Sequence, residues 1–345
     1  VKNFHNDYQK NYDVVICGGG LLGPSFGYAL AREGVSVLML DDGDDALRAA
    51  RGNFGLIWFQ GKVIACQPYV DWTLQSASQY PDFADQLLAN TGIDIELSQS
   101  GGMEVCLSEA DVRDRRSEIE TLKNQSPDKT YPAQILTRAE AQEILNTNSG
   151  TIKLGPDVLA VAYSPIDGHV NPLKLLHGLH TGFQKFGGIY QSRSPVRSIV
   201  PHQDSFQIIT DQQTYIAKKV VITAGLGITP LAAQVGLDIP VFPERGQILV
   251  TERTQNVLPL PFLNVRQTGE GTIMIGVSNE PSGFDNTTTG DVTARLARQA
   301  IATFPDLASL NLVRTWGALR VLTPDHVPVY DQADLHPGAF AATSH

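Results

Sequence analysis

Three glycines in Gly18-Gly-Gly-Leu-Leu-Gly23 carry the first chemistry legible in this chain. A phosphate can lie against a backbone only where no Cβ stands in the way. It is drawn to the free N–H groups and positive dipole end of a helix N-terminus. Gly18 permits a tight turn, Gly20 allows the close approach, and Gly23 lets helix pack on strand. The elements that must position such a turn are present as patterns. Val14-Val-Ile-Cys17 reads as a buried strand, Pro24 to Glu33 has helical spacing ending at Gly34, and Val35 to Leu40 reads as a second buried strand. Asp41, with Asp42 beside it, follows about 20 residues after the turn, where a carboxylate accepts hydrogen bonds from ribose hydroxyls. The spacing predicts a dinucleotide whose pyrophosphate lies across Gly18, Gly19, Gly20, Leu22 and Gly23. Taken alone, the turn does not choose between a nicotinamide and a flavin.

Composition narrows the partners. The 345 residues are 42% hydrophobic and 18% charged, an ordinary globular balance, and long enough for two domains. A net charge of -10 argues against nucleic acid, which needs clustered Lys and Arg. It leaves room for a small anionic substrate held by one or two local arginines. Cys17, Cys66 and Cys106 are odd in number and lack CxxC spacing, which fits a reducing cytoplasm. No apolar run is long enough to span a membrane, and the polar start of the chain is no signal peptide.

Further along, Asp71 to Asn90 reads as a helix broken by Pro81, Gly101 to Leu107 as a strand, and Glu109 to Gln125 as a charged helix. Gln125 to Tyr131 reads as a surface loop. Leu173 to Phe186 is an amphipathic helix, followed by strands at Ser194 to Val200, Phe206 to Thr210 and Lys218 to Thr223. Glu244 to Thr251 and Thr272 to Val277 suit another sheet, and Asp291 to Phe304 a last helix. His177 and His180 share a helical face, but no third ligand is placed with them, so no metal site is expected. No nucleophile–base pair stands out, and no catalytic side chain is assigned.

From Asp42 onward the segment Arg48-Ala-Ala-Arg51-Gly-Asn-Phe-Gly-Leu-Ile57 resembles the D-amino-acid oxidase and glycine oxidase superfamily of FAD-dependent amine oxidoreductases. Other pieces follow in that family's order. Pro165-Ile-Asp-Gly-His-Val-Asn-Pro172 resembles its turn before a long helix. Ser194-Pro-Val-Arg-Ser-Ile199 and Lys219-Val-Val-Ile-Thr-Ala-Gly225 resemble its cofactor strands. Glu244-Arg-Gly-Gln247 and Trp316-Gly-Ala-Leu-Arg-Val-Leu-Thr-Pro-Asp325 complete the series. Departures are Val321 for the usual proline and His326 for the usual glycine. The sequence stops at Thr343-Ser-His345, a point from which members of that family continue into a glycine-containing turn and a last helix, so the resemblance implies a further segment.

The resemblance implies an α/β fold: a Rossmann-like FAD-binding domain with a parallel sheet, plus an α+β substrate domain with an antiparallel sheet. The expected boundaries are 10–82, 160–235 and 318–345 for the first, and 83–159 and 236–317 for the second. It implies that Arg48, Arg51, Gly52, Asn53, Phe54, Gly55 and Leu56 run past the pyrophosphate toward the isoalloxazine ring. It places Val196 on the adenine side, and Ala224, Gly225 and Gly227 near the pyrophosphate. Arg320 is the expected clamp for a substrate carboxylate, since a guanidinium offers a planar, permanently charged fork. His345 falls beside the substrate. Arg48 to Asn53 contains no histidine, so the FAD is expected to be non-covalent. The implied reaction oxidises the amine of an amino acid or secondary amine, D-hydroxyproline-like or related, to an imine by hydride transfer to flavin N5. The wording from Arg51 to Gly61 is nearest the branch of D-hydroxyproline and opine dehydrogenases. That branch implies an oligomer, an electron-transfer partner subunit, and membrane attachment only through partners. Two alternatives stay open: a glycine, sarcosine or D-amino-acid oxidase that reduces oxygen to hydrogen peroxide, and a flavin-bearing subunit without catalysis of its own.

Overall fold

The computed structural model describes residues 11–43, 49–60, 66–126, 131–148 and 150–345. Arg48 and Gly61 lie outside the described residues. The chain divides into two units, Val1–Ala50, Leu176–Pro243 and Arg320–His345 in one, Arg51–Leu175 and Glu244–Leu319 in the other. Residues 51–82 and 160–175, expected with the glycine turn, are grouped with the second unit. Their long-range bonds explain it: Phe59 N donates to Asp167 Oδ1 and Trp316 Nε1 to Gly52 O, all inside that unit.

In the first unit, strands Asn11–Cys17, Val37–Leu40, Ile189–Gln191, Thr214–Ile222 and Ala339–Thr343 run parallel, with Asn11–Cys17 between Thr214–Ile222 and Val37–Leu40. Val196–His202, Ser205–Thr210 and Val329–Gln332 extend the sheet as antiparallel strands. The central strands read as continuous apolar runs because both faces are covered. Val15, Leu38, Val220 and Ile222 are fully buried in one core. Helix Leu22–Arg32 approaches the sheet closely because Gly27 has no side chain: a Cβ there would stand 2.8 Å from Met39 and 2.9 Å from Phe183 of helix Pro172–Lys185. The hydrophobic effect and the close approach thus place the helix whose N-terminus follows the glycine turn.

The second unit holds a four-stranded sheet in the order Val265–Gln267, Thr272–Ile275, Phe242–Arg253, Leu312–Leu322, the antiparallel partner of the expected architecture. A three-stranded antiparallel sheet centres Ala160–Ser164 between Gly102–Cys106 and Gln134–Thr137. The two meet where Met103 N donates to Pro261 O and Leu263 N to Met103 O. Alternation sorts the four-stranded sheet into two faces. Leu249, Val265, Ile273 and Ile275 enter the large core with Phe262 and Phe304. Ile248, Val250 and Met274 turn the other way, onto Phe54, Leu56 and Trp316.

Two sequence expectations change. The helix expected to break at Pro81 is continuous over Gln67–Thr91. Proline removes one N–H and pushes aside the carbonyl four residues back. That carbonyl, Ala77 O, is recovered by Gln99 Nε2 at 2.9 Å, so the helix continues without an orphaned acceptor. Helix Arg138–Thr147 is absent from the sequence reading, although Thr137 and Glu140 form a capping box, each satisfying the other's backbone N–H.

Phe183 is fully buried between Gly27 and Gly188. Phe183→Ala is expected to cost about 3–5 kcal/mol of unfolding free energy. Denaturant melts should show it, together with weaker retention of the expected dinucleotide as the glycine-turn helix loosens.

Candidate functional site

The turn after Asn11–Cys17 is shaped by backbone contacts that leave no room for side chains. Gly18 has φ +120°, and Gly23, in the first turn of helix Leu22–Arg32, sits against Gly18 O. Gly18 O accepts from Thr223 Oγ1 at 3.0 Å, so the end of strand Thr214–Ile222 grips the turn from the side. Gly20 differs from its neighbours, since a Cβ placed on it would meet nothing within 4 Å. The helix behind it has no side-chain cap at Leu21 and no acidic residue in its first turn. An uncapped N-terminus beside open space is a donor set that suits a phosphate. The residues present therefore fit a dinucleotide pyrophosphate.

Asp41 closes the turn from the second strand. Its carboxylate accepts Gly19 N at 2.7 Å and Gly43 N at 2.9 Å, and the residue is 7% exposed. Asp42 beside it is exposed. Sequence reasoning missed His180, whose Nε2 lies 3.0 Å from Gly19 O and whose ring meets Tyr190 edge-on at 4.6 Å. Its spacing from His177 suggests only a metal, and among the described residues no three metal-ligating side chains cluster.

Ala224 follows Thr223 directly, and its Cα would be 3.1 Å from a Cβ on Gly18. Gly225, at φ +56°, and Gly227 continue this second backbone edge. Val196 opens strand Val196–His202 and packs on the first unit's core. Arg320 lies half-buried on strand Leu312–Leu322. His345 Nδ1 is 2.9 Å from Tyr330 OH, at the exposed edge of the sheet. Burial pushes the Cys17 thiol up to about 12, so it is no nucleophile at neutral pH.

The second unit brings together residues 51–56. Arg51 is exposed; Gly52 O receives Trp316 Nε1 at 3.4 Å; Asn53 Oδ1 accepts Gly55 N at 2.6 Å. Phe54 is buried on the small face of the four-stranded sheet, and Leu56 pairs with His169 across a two-stranded ladder. Gly55, at φ +87°, has no space for a Cβ between Val170 O and Arg266. Sequence reasoning missed Arg266 and His169. Arg266 stands opposite Met274 on the small face, donates from Nε to Phe54 O, and places a terminal nitrogen 3.2 Å from His169 Nδ1. A guanidinium only donates, so His169 Nδ1 must accept and its proton sits on Nε2. Burial, then the Arg266 charge, pushes the His169 pKa down to about 4. His169 lies inside the quoted turn before the long helix; Arg266 has no local signal beyond being a lone charge in an alternating strand.

Comparison with known proteins agrees with this geometry. A family model described as "DAO: FAD dependent oxidoreductase" matches residues 13–345. The chain is 38% identical over 333 residues to an opine oxidase subunit from Agrobacterium tumefaciens (strain Ach5), covering 96% of this chain and 88% of that one. The corresponding opine oxidase subunit from Rhizobium meliloti is 39% identical over the same shares of the two chains. The crystal structure of glycine oxidase from Geobacillus kaustophilus superposes with a TM-score of 0.88 at 26% identity, covering 97% of this chain and 90% of that chain.

Gly20→Val has room within the protein and should fold with an unchanged apoprotein melt, yet lose bound dinucleotide more than tenfold by absorbance. Full retention would show a turn and nothing more. His169 gives a pH test. Its folded pKa of about 4 lies below the ordinary 6.5, so between those values the unfolded chain binds more protons. Wild type should therefore lose stability relative to His169→Gln as pH falls from about 6.5 to about 4, read from melts across that window.

Proposed function

The chain belongs to the DAO family of FAD-dependent oxidoreductases, and from that premise we propose that it oxidises a secondary-amine amino acid of the opine kind as the flavin-bearing subunit of a larger assembly. The observation that carries the reading is the open, uncapped helix N-terminus at Gly20 within a chain alike over 96% of its length to opine oxidase subunits. FAD, when bound, would supply a two-electron acceptor for the hydride of the substrate Cα–H, which would bring the amine to the oxidation level of an imine. Water then splits the imine into an amine and a keto acid.

The protein's own residues bind, orient and exclude. Gly18 and Gly19, whose own N–H groups bond to Leu40 O and Asp41, shape the turn along the pyrophosphate, and Gly20, Leu22 and Gly23 offer it backbone N–H groups, with Ala224, Gly225 and Gly227 as the opposite edge. Asp41 and Asp42 serve the ribose, and Val196 the adenine. Arg51, Gly52, Asn53, Phe54, Gly55 and Leu56 flank the ring system, held without a covalent bond. Arg320 clamps a substrate carboxylate, and His345 stands with the substrate. No general base is required, because a neutral amine held with its Cα–H against the acceptor needs positioning more than proton transfer.

The opine oxidase relatives are themselves named as subunits, which supports an assembly; that the electrons pass to an acceptor other than oxygen is part of the proposal. The likeness to glycine oxidase supports the oxidase alternative. Anaerobic flavin bleaching against opines, hydroxyproline isomers, sarcosine, glycine and D- and L-amino acids should find opines fastest. Reoxidation by a dye without hydrogen peroxide in air is then expected; rapid peroxide formation would make the chain an oxidase. Arg320→Ala should raise KM by about 100-fold, the scale of a lost charged hydrogen bond, with FAD content unchanged. Loss of FAD instead would move Arg320 to the cofactor.

A further inference from the structure

Arg266 carries a buried charge that no carboxylate among the described residues meets in direct contact. The residue is 3% exposed, on the small face of the four-stranded sheet among Phe54, Ile248, Met274 and Trp316. Its acceptors, Phe54 O and His169 Nδ1, are both neutral, and the Phe54 ring is 5.6 Å from the guanidinium carbon. Among the described residues no carboxylate comes within ion-pair distance. The carboxylate whose charge reaches Arg266 is Glu96, whose oxygens are taken by Lys174 Nζ at 2.5 Å and Asn171 Nδ2 at 3.1 Å. Burial pushes the Arg266 pKa down to about 10.

Two neutral acceptors can be served by a neutral donor. Burying a full charge for them alone is costly, and buried charges are ordinarily paired. One guanidinium nitrogen makes no hydrogen bond to the described residues; it lies beside Gly55, where a Cβ would come within 3.2 Å of it. His169 contributes a second donor, since Arg266 holds its proton on Nε2. The pair offers one positive charge and two N–H groups that no anion among the described residues meets in direct contact. That is the chemistry of a carboxylate site.

We propose that Arg266, with His169 as its neutral partner, is a specificity-determining residue that takes a carboxylate found in dicarboxylic secondary amines and absent from monocarboxylic ones. The inference rests on the reading of the chain as an amine oxidoreductase and adds the residue that selects the substrate.

The test is binding to the FAD-loaded protein, in whatever assembly it is purified. Thiodiacetate and methylthioacetate are thioether analogues that cannot be oxidised as amines, and they differ by one carboxylate. Perturbation of the flavin spectrum gives both dissociation constants. Wild type should prefer thiodiacetate by about 10- to 100-fold, the range of a charge-assisted bond. Arg266→Gln should bring the ratio to within two-fold while binding methylthioacetate as before, and Arg266→Lys should restore part of it. No preference in wild type overturns the proposal. So does a ratio unchanged in Arg266→Gln, or an equal loss of both ligands, which would mark Arg266 as an anchor for residues 54–55 alone. If Arg266→Gln fails to retain flavin, His169→Gln is read instead: a threefold or greater drop in the ratio supports the proposal, and an unchanged ratio overturns it. Wild-type flavin bleached by no amine would sink the functional reading while leaving the binding ratio readable.

Discussion

One carbonyl oxygen organises the first unit. Gly18 O lies where a side chain on Gly23 would have to stand, and it accepts the Thr223 hydroxyl at 3.0 Å. Three elements meet at that point: the central strand, the helix that follows the turn, and strand Thr214–Ile222. A Cβ on Gly18 would strike Thr223 and Ala224, and one on Gly23 would strike Gly18. Because these positions are closed to side chains, the helix N-terminus stays near the strand ends with its donors uncapped. Gly20 is thereby left facing open space rather than the protein. Asp41 then ties the turn to the second strand through Gly19 N.

The second unit depends on a sheet with two unlike faces. One face is filled by aliphatic and aromatic side chains and supplies the unit's stability. The other carries a thinner apolar layer with Arg266 embedded in it. Stability alone does not call for that arginine, since an apolar residue of similar volume would cost less to bury. Its bonds to Phe54 O and His169 hold the segment of residues 53–56 and fix an imidazole tautomer together.

Buried acids support the same unit from behind. Asp167 is fully buried and receives Phe59 N at 2.7 Å and Gln60 Nε2 at 3.0 Å, so it pins the segment that follows residues 53–56. Glu104 pairs with Arg115 at 2.8 Å, yet burial pushes its pKa up to about 7, because desolvation outweighs the attraction of Arg115. Both acids are engaged by donors of their own unit, a pattern suited to holding a loop rather than to reacting.

The sequence by itself determined the βαβ unit, the glycine turn, the acid after the second strand and the family, because each is written in neighbouring residues or in a run of motifs in order. Periodicities of 2 and 3.6 report which face of an element is apolar, and they mark the longer helices and about half of the strands described. Pro81 shows the limit: a local rule predicts a break, and Gln99, distant in sequence, recovers the freed carbonyl. Arg266 and His169 show it more strongly, lying 97 residues apart. An isolated arginine in an alternating strand reads as solvent-facing until the tertiary structure lays Phe54 over it and buries it. Only packing decided which polar groups meet, because register and distance between remote segments are set by how whole sheets fill space, and no local pattern encodes that.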